Sequence, residues 1–260
     1  MLQAREIVYR VGQRELLHGV SASFEAGRLH LIVGPNGAGK STFVKVLSRL
    51  LRPQAGEVRY GDLDAGTQDE RTLARQRAVL SQALELAFPL PVRDLVMMGR
   101  YPHFRGRPGR ADEEICDEVM AYFDVQDMRD RSYVTLSGGE KQRVNFARVL
   151  AQVWRPLPGA CRYLFLDEPL TFLDIRHQID FMKKVRAFVE HHDVVAVGVV
   201  HDLNLAARFG DRLLMIDDGR IVAFGSKEDV LTPAHIRSTF HVDPVVVREP
   251  GTDAFHLIFH

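Results

Sequence analysis

The chain contains no apolar run long enough to cross a membrane. Its most apolar stretch, residues 194–200 (VVAVGVV), is seven residues, where a helical span needs about 20. It has no charge excess of either sign, since 34 Lys and Arg balance 34 Asp and Glu. That balance argues against broad electrostatic capture of nucleic acid, which draws its affinity from a basic surplus. Cysteine is scarce. Cys116 and Cys161 stand 45 positions apart with no second cysteine near either, which excludes a disulfide framework or a cysteine metal cluster and suits a reducing compartment. The opening residues MLQAREIVYR lack the apolar core of a secretory signal. Repeats, low-complexity tracts and long linkers are also missing. What remains is ordinary globular material, 46% hydrophobic and 26% charged over 260 residues, with a length suited to one large domain or two small ones. These properties together predict a soluble cytoplasmic protein.

The hydrophobic pattern changes twice along the chain. Short β-like runs at 5–10 and 20–24 lead to LHLIV (29–33), a Gly-rich turn and the helical STFVKVLSRLL, an order that predicts a sheet covered by helices. Residues 91–154 carry almost no strand signal. There Ile115, Val119 and Tyr122 share one helical face, and Val144, Ala147, Leu150, Ala151 and Trp154 share another. Strand and helix then return in RYLFLDE (162–168), a helix with Ile175, Ile179, Met182, Val185 and Val189 inward, and VVAVGVV. Two short strands, a helix near 227–240 and a final strand pair are expected after residue 210. The pattern predicts an α/β core holding an inserted helical subdomain.

Chemistry enters at Gly34-Pro35-Asn36-Gly37-Ala38-Gly39-Lys40-Ser41, which fits the phosphate-loop pattern with a strand before it and a helix after it. Glycines let backbone N–H groups close around phosphate oxygens, and the helix start adds its positive end. Lys40 is expected to reach the β- and γ-phosphates, Ser41 to ligate Mg²⁺, and Thr42 to continue the loop. Asp167 and Glu168 end a strand too apolar to face water. Asp167 suits a metal anchor, and Glu168 suits the base that orients and deprotonates water.

Between these sites stands Leu136-Ser137-Gly138-Gly139-Glu140, followed by KQRVNFARVL, with Ser137 placed to cap a helix. Here the chain resembles the ATP-binding subunit of an ABC transporter, over essentially its whole length. The resemblance implies a P-loop ABC ATPase fold, with a mixed-sheet nucleotide-binding core (1–86 and 160–260), an antiparallel β subdomain and a helical subdomain (about 87–159). It implies ATP and Mg²⁺ as ligands and a homodimer closing head to tail over two ATP molecules. In that dimer Ser137, Gly138, Gly139 and Glu140 meet the nucleotide of the opposite subunit. It further implies that Gln82 ligates Mg²⁺ and senses a membrane partner, that His201 in VHDLN contacts the γ-phosphate, and that Asp174 is the aspartate of a loop crossing the dimer. Phe172 in that loop replaces a small residue. Where the family often has an adenine-stacking Tyr, this chain has Val11. Tyr9 lies two positions earlier, and strict alternation would place it on the same strand face.

The cargo is narrowed by three features. Residues 88–104 (FPLPVRDLVMMGRYPHF) resemble importers of iron chelates, haem and cobalamin. Ser137 to Asp167 spans 30 positions, more than is usual, and the surplus in WRPLPGAC (154–161) after ARVLAQ resembles the haem-importer branch. The 59 residues after His201 are read as completing the nucleotide fold without a regulatory domain. Two permease subunits docked through the helical subdomain, a periplasmic binding protein acting indirectly, and the cytoplasmic face of the inner membrane follow from this resemblance. Arg93, Arg100 and Arg105 are read as part of the docking surface, Arg107 and Arg110 as a solvated loop, and His191, His192 and His256 as surface residues. Siderophore or cobalamin uptake, and a soluble ATPase of the iron–sulfur scaffold type, stay open as alternatives.

Overall fold

The computed structural model describes residues 1–80, 86, 88–157, 159–171, 173–248 and 255–259. Gln82 and Phe172 therefore lie outside the described residues.

The first two strands, β1 (Leu2–Val11) and β2 (Arg14–Phe24), form a long antiparallel hairpin in which Val11 faces Arg14. Strand β3 (Arg28–Val33) runs into the glycine loop and α1 (Lys40–Leu47). Strands β4 (Ala55–Tyr60) and β5 (Leu63–Asp64) join the hairpin in a sheet ordered β2-β1-β4-β5. Next come α2 (Glu70–Gln76), capped by Asp69 through Thr72 N at 3.0 Å, and β6 (Arg77–Leu80). The middle of the chain is helical: α3 (Val92–Met98), α4 (Arg110–Tyr122) and α5 (Gly138–Val153) pack on one another.

Strand β7 (Tyr163–Asp167), helix α6 (Ile175–His192) and strand β8 (Val195–Val199) return the chain to the sheet. They are followed by α7 (Leu203–Phe209) and the hairpin β9 (Arg212–Asp217) and β10 (Arg220–Gly225). Helices α8 (Lys227–Val230) and α9 (Pro233–Phe240) lead to a terminal hairpin, β11 (Pro244–Arg248) and β12 (Phe255–Phe259). The central sheet is mixed, in the order β10-β9-β3-β8-β7-β6. It is parallel from β9 to β6, with β10 antiparallel at its edge.

Both faces of this sheet are covered, which is why its strands read as unbroken apolar runs. Alternate residues divide between two buried clusters. Leu29, Leu31, Val33, Leu164 and Leu166 join the helical residues of α3–α6 on one face. Ile32, Tyr163, Phe165, Leu214 and Ile216 meet α1 and the four-stranded sheet on the other. The helical segment thus shares one continuous apolar cluster with the sheet. Trp154 stacks on Phe188 of α6, ring centroids 5.3 Å apart at 10°, and its indole N–H donates to Glu118 at 2.7 Å. Buried Arg162 donates to the carbonyls of Val153 and Trp154 at 3.0 and 2.7 Å and to that of His192. One guanidinium therefore satisfies the ends of both α5 and α6.

Three sequence expectations are corrected here. Ile175, the first residue of α6, is 75% exposed, whereas Met182, Val185 and Val189 are buried, joined by Phe181 and Phe188. The helix expected over 227–240 is two helices. Pro233 cannot occupy a helix interior, and Thr232 starts α9 afresh by accepting from His235 N at 3.2 Å. Arg100 is 6% exposed and no docking residue. It pairs with Asp112 at 3.0 Å and donates to Ala151 O at 2.7 Å, pinning α3 to α4 and α5.

Candidate active site

The loop between β3 and α1 is shaped by close backbone approach. Gly34 has φ +150°, and a Cβ there would stand 2.0 Å from the carbonyl oxygen of Ile216 in β9. Gly39, at φ +98°, caps α1, and a Cβ would lie 2.8 Å from Leu16 O in β2. No other residue fits either position. The loop is thus wedged between two strands, and its N–H groups together with the start of α1 form an anion cradle.

Lys40 is 5% exposed and folds back, with Nζ donating to Gly34 O and Pro35 O at 2.8 Å each. Burial lowers its pKa, opposed by the negative charges of Glu168 and Asp167. The ammonium is held by two neutral carbonyls, partners that a phosphate anion would outbid.

Glu168 reaches this cleft from the end of β7, and Asp167, the last residue of that strand, stands beside it. Asp167 is 6% exposed and its Oδ1 is buried without a hydrogen-bond partner, while Oδ2 lies 3.9 Å from Lys45 of α1. A buried, unsatisfied carboxylate oxygen is costly unless something else fills it. Glu168 adopts φ +53°, a strained backbone for a non-glycine residue and characteristic of functional sites. Its Oε1 lies 3.0 Å from Nε2 of His201, at the end of β8.

The cleft has a volume of about 280 Å³ and brings together Asn36, Gly37, Gly39, Lys40, Ser41, Thr42, Glu168 and His201. Arg14 and Leu16 complete its lining. Neither was singled out from the sequence, although their two-residue spacing just after the hairpin turn is the signal that would have found them. Tyr9 is not brought to the cleft; it packs against the cluster beneath the four-stranded sheet. Strand β1 is irregular, with register shifts at Ile7/Val8 and Tyr9/Arg10, so strict alternation does not fix the face that Tyr9 takes.

The Ser137–Glu140 motif lies outside this lining, on the helical side of the chain. Ser137 caps α5 in a reciprocal box: its Oγ accepts from Glu140 N at 3.4 Å and its own N–H donates to Glu140 at 2.7 Å. That backbone N–H, then the Ser137 side chain, lowers the Glu140 pKa. Glu140 is thereby committed to its own helix and to Arg131 at 3.3 Å. A Cβ on Gly138 or Gly139 would meet nothing within 4 Å. Unlike Gly34 and Gly39, these two answer to no crowding among the described residues. Gln142, one turn on, donates to Pro169 O at 2.9 Å and ties α5 to the loop after Glu168. Asp174 caps α6 through His177 N at 2.9 Å and pairs with the His177 ring at 2.8 Å.

Residues outside the cleft are quieter. Cys116 is buried, which pushes its thiol up to about 12, so it is inert. His191, His192 and His256 are exposed. Arg93 pairs with Asp130 at 2.5 Å and Arg110 with Glu114 at 3.1 Å. No helix of the described residues is long and apolar enough to cross a membrane.

The family described as ABC transporter matches residues 17–171. The hemin import ATP-binding protein HmuV of Gloeobacter violaceus is 44% identical over 250 residues, covering 96% of this chain and 90% of that protein. Among solved structures, an inward-facing metal-chelate type ABC transporter superposes with a TM-score of 0.83 at 20% identity, over 100% of this chain and 96% of that one. A dimeric ATP-binding cassette bound to ADP and Pi does so at 0.74 and 24%, over 87% of this chain and 99% of that one.

Proposed function

The chain belongs to the ABC transporter family, and from that membership we propose that it is the ATP-hydrolysing subunit of an importer that brings haem across the cytoplasmic membrane. The observation that carries the ATPase reading is one cleft holding a phosphate cradle, a buried lysine and the Glu168–His201 pair. The haem reading rests on the 44% identical relative, a hemin import protein matched over nearly its whole length.

The chemistry follows from what each residue can do. Lys40, held by two neutral carbonyls, exchanges them for phosphate oxygens and gains charge-assisted bonds. The loop N–H groups and the start of α1 hold the remaining phosphate charge. Glu168 accepts a proton from the attacking water. His201, hydrogen-bonded to Glu168, fixes that carboxylate and reaches the terminal phosphate. The residues also fit Mg²⁺: Ser41 lines the cleft and Asp167 supplies an orphaned buried oxygen, with Gln82 outside the described residues. The ion, when bound, neutralises phosphate charge. Arg14 and Leu16 of β2 extend the lining beyond the loop, towards where the rest of the nucleotide would lie.

Gly138 and Gly139 supply the reason for a second copy. Their lack of side chains relieves no crowding among the described residues, and a nucleotide carried by a facing subunit would use the open approach to the start of α5. On this reading a homodimer closes over two ATP molecules, with Ser137, Gly138, Gly139 and Asp174 opposite the partner's cradle. Closure is passed to two permease subunits through the helical segment, about 87–159, and the chain sits peripherally on the cytoplasmic face. The reading implies no nucleic-acid partner.

Reconstitution tests it. Proteoliposomes carrying this chain with its permease should accumulate haem in an ATP-dependent manner. Accumulation of a siderophore or cobalamin with no haem would refute the cargo, and transport without ATP turnover would refute the motor.

A further inference from the structure

Asn204 is the second residue of α7 and three positions from His201. Its side chain makes two hydrogen bonds to one residue of the terminal hairpin: Oδ1 accepts from Leu257 N at 2.7 Å, and Nδ2 donates to Leu257 O at 3.1 Å. A carboxamide carries one donor and one acceptor side by side. Asn204 therefore pairs with the free edge of β12 as a neighbouring strand would, and a two-stranded hairpin needs such support.

The same residue takes part in the start of α7. Its backbone N–H donates to Asp202 at 2.7 Å, beside that of Leu205 at 2.9 Å. Helix α7 has seven residues, too short to hold its shape by propensity. Its inner face is buried through Leu203, Ala206, Ala207 and Phe209, and β12 packs against it. The segment from Val200 to Asp202 is thus fixed at two ends. At one, Val200 N donates to Ile32 O at 3.2 Å; at the other stands the first turn of α7, clasped by Asn204. His201 lies between them, with its side chain 47% exposed and 3.0 Å from Glu168. Among the described residues, the Glu168 carboxylate is the ring's one hydrogen-bonding or ion-pair partner.

We propose that Asn204 is a positioning residue for His201: by clasping Leu257 it fixes the first turn of α7, and so the distance between His201 and Glu168. The terminal hairpin thereby becomes part of the apparatus that sets hydrolysis. This rests on the reading of His201 as a residue of the ATPase centre.

The test is a double-mutant cycle in the full chain assembled with its permease, measuring kcat and the KM for ATP. Asn204→Ala should lower kcat about tenfold with KM within about twofold. Asn204→Asp, which keeps the acceptor but sets a carboxylate against Leu257 O, should do the same even if the alanine variant fails to fold. Combined with His201→Ala, either change should add almost nothing, since both act through one ring. Wild-type kcat in the Asn204 variants would overturn the proposal, as would losses that multiply with that of His201→Ala. If His201→Ala alone keeps full kcat, the role given to His201 falls first and the positioning role with it.

Discussion

Nε2 of His201 and Oε1 of Glu168 stand 3.0 Å apart, although they end different strands of the central sheet. Strands β7 and β8 are parallel neighbours with Asp167 opposite Val199, so register alone places the residues that follow them on the same edge. Both then project from the carboxyl ends of the strands, where the phosphate loop also emerges from β3. Glu168→Gln keeps the shape of this contact and removes the base. ATPase turnover should fall by about 10²–10⁴-fold, while ATP binding, followed by equilibrium titration, stays within a few-fold of wild type.

Lys40 offers a contrast between binding and chemistry. Its ammonium is buried and, among the described residues, is held by Gly34 O and Pro35 O. Lys40→Ala should weaken ATP binding by at least about tenfold, the scale of one charge-assisted hydrogen bond. The fold should persist, since Lys40 bonds only to carbonyls of its own loop. Isothermal titration with ATP and a melting curve separate the two effects.

The phosphate loop, the Asp167–Glu168 strand end and the cap at Ser137 were legible because each is local: a few consecutive residues define both the backbone and the chemistry. What escaped depends on contacts distant in sequence or on broken periodicity. The face taken by Tyr9 cannot be read from alternation, because register shifts interrupt β1. Arg14 and Leu16 enter the cleft only because Gly39 lets the loop close on β2. The Asn204 clasp joins residues 53 positions apart, and nothing near Asn204 announces it. Arg100 sits in a basic stretch of sequence, but its partners, Asp112 and the end of α5, lie 12 and 51 positions away.

His30 predicts how the fold responds to acid. It is 1% exposed in β3, with Nδ1 3.2 Å from Ala196 O and Nε2 accepting from Glu25 N at 3.3 Å. Burial lowers its pKa from 6.5 to about 4. The unfolded chain therefore binds this proton more readily than the folded one between those values. The stability tied to neutral His30 is fully present above pH 6.5 and is lost progressively as pH falls towards 4. The loss amounts to about 3 kcal/mol. His103, also held down to about 4 by burial, acts in the same sense. Urea unfolding at pH 7, 5.5 and 4.5 should show this decline, and His30→Leu should flatten part of it.

The two kinds of glycine should respond oppositely to one added methyl group. At Gly34 the Cβ would lie 2.0 Å from Ile216 O, at a φ that side chains avoid, so Gly34→Ala must displace β9 or the loop. That substitution should cost more than about 2 kcal/mol of stability and abolish ATP binding together with it. Gly139 lies in the first turn of α5 and a Cβ there meets nothing. Gly139→Ala should therefore leave the melting temperature unchanged or raise it, in keeping with the roughly 0.5–1 kcal/mol by which alanine surpasses glycine in helices. If the open approach to α5 exists to admit a partner's nucleotide, the same variant should nonetheless lose most ATPase activity and fail to dimerise with ATP in sedimentation experiments. A stable Gly139→Ala protein that hydrolyses ATP at the wild-type rate would show that this space has no such occupant.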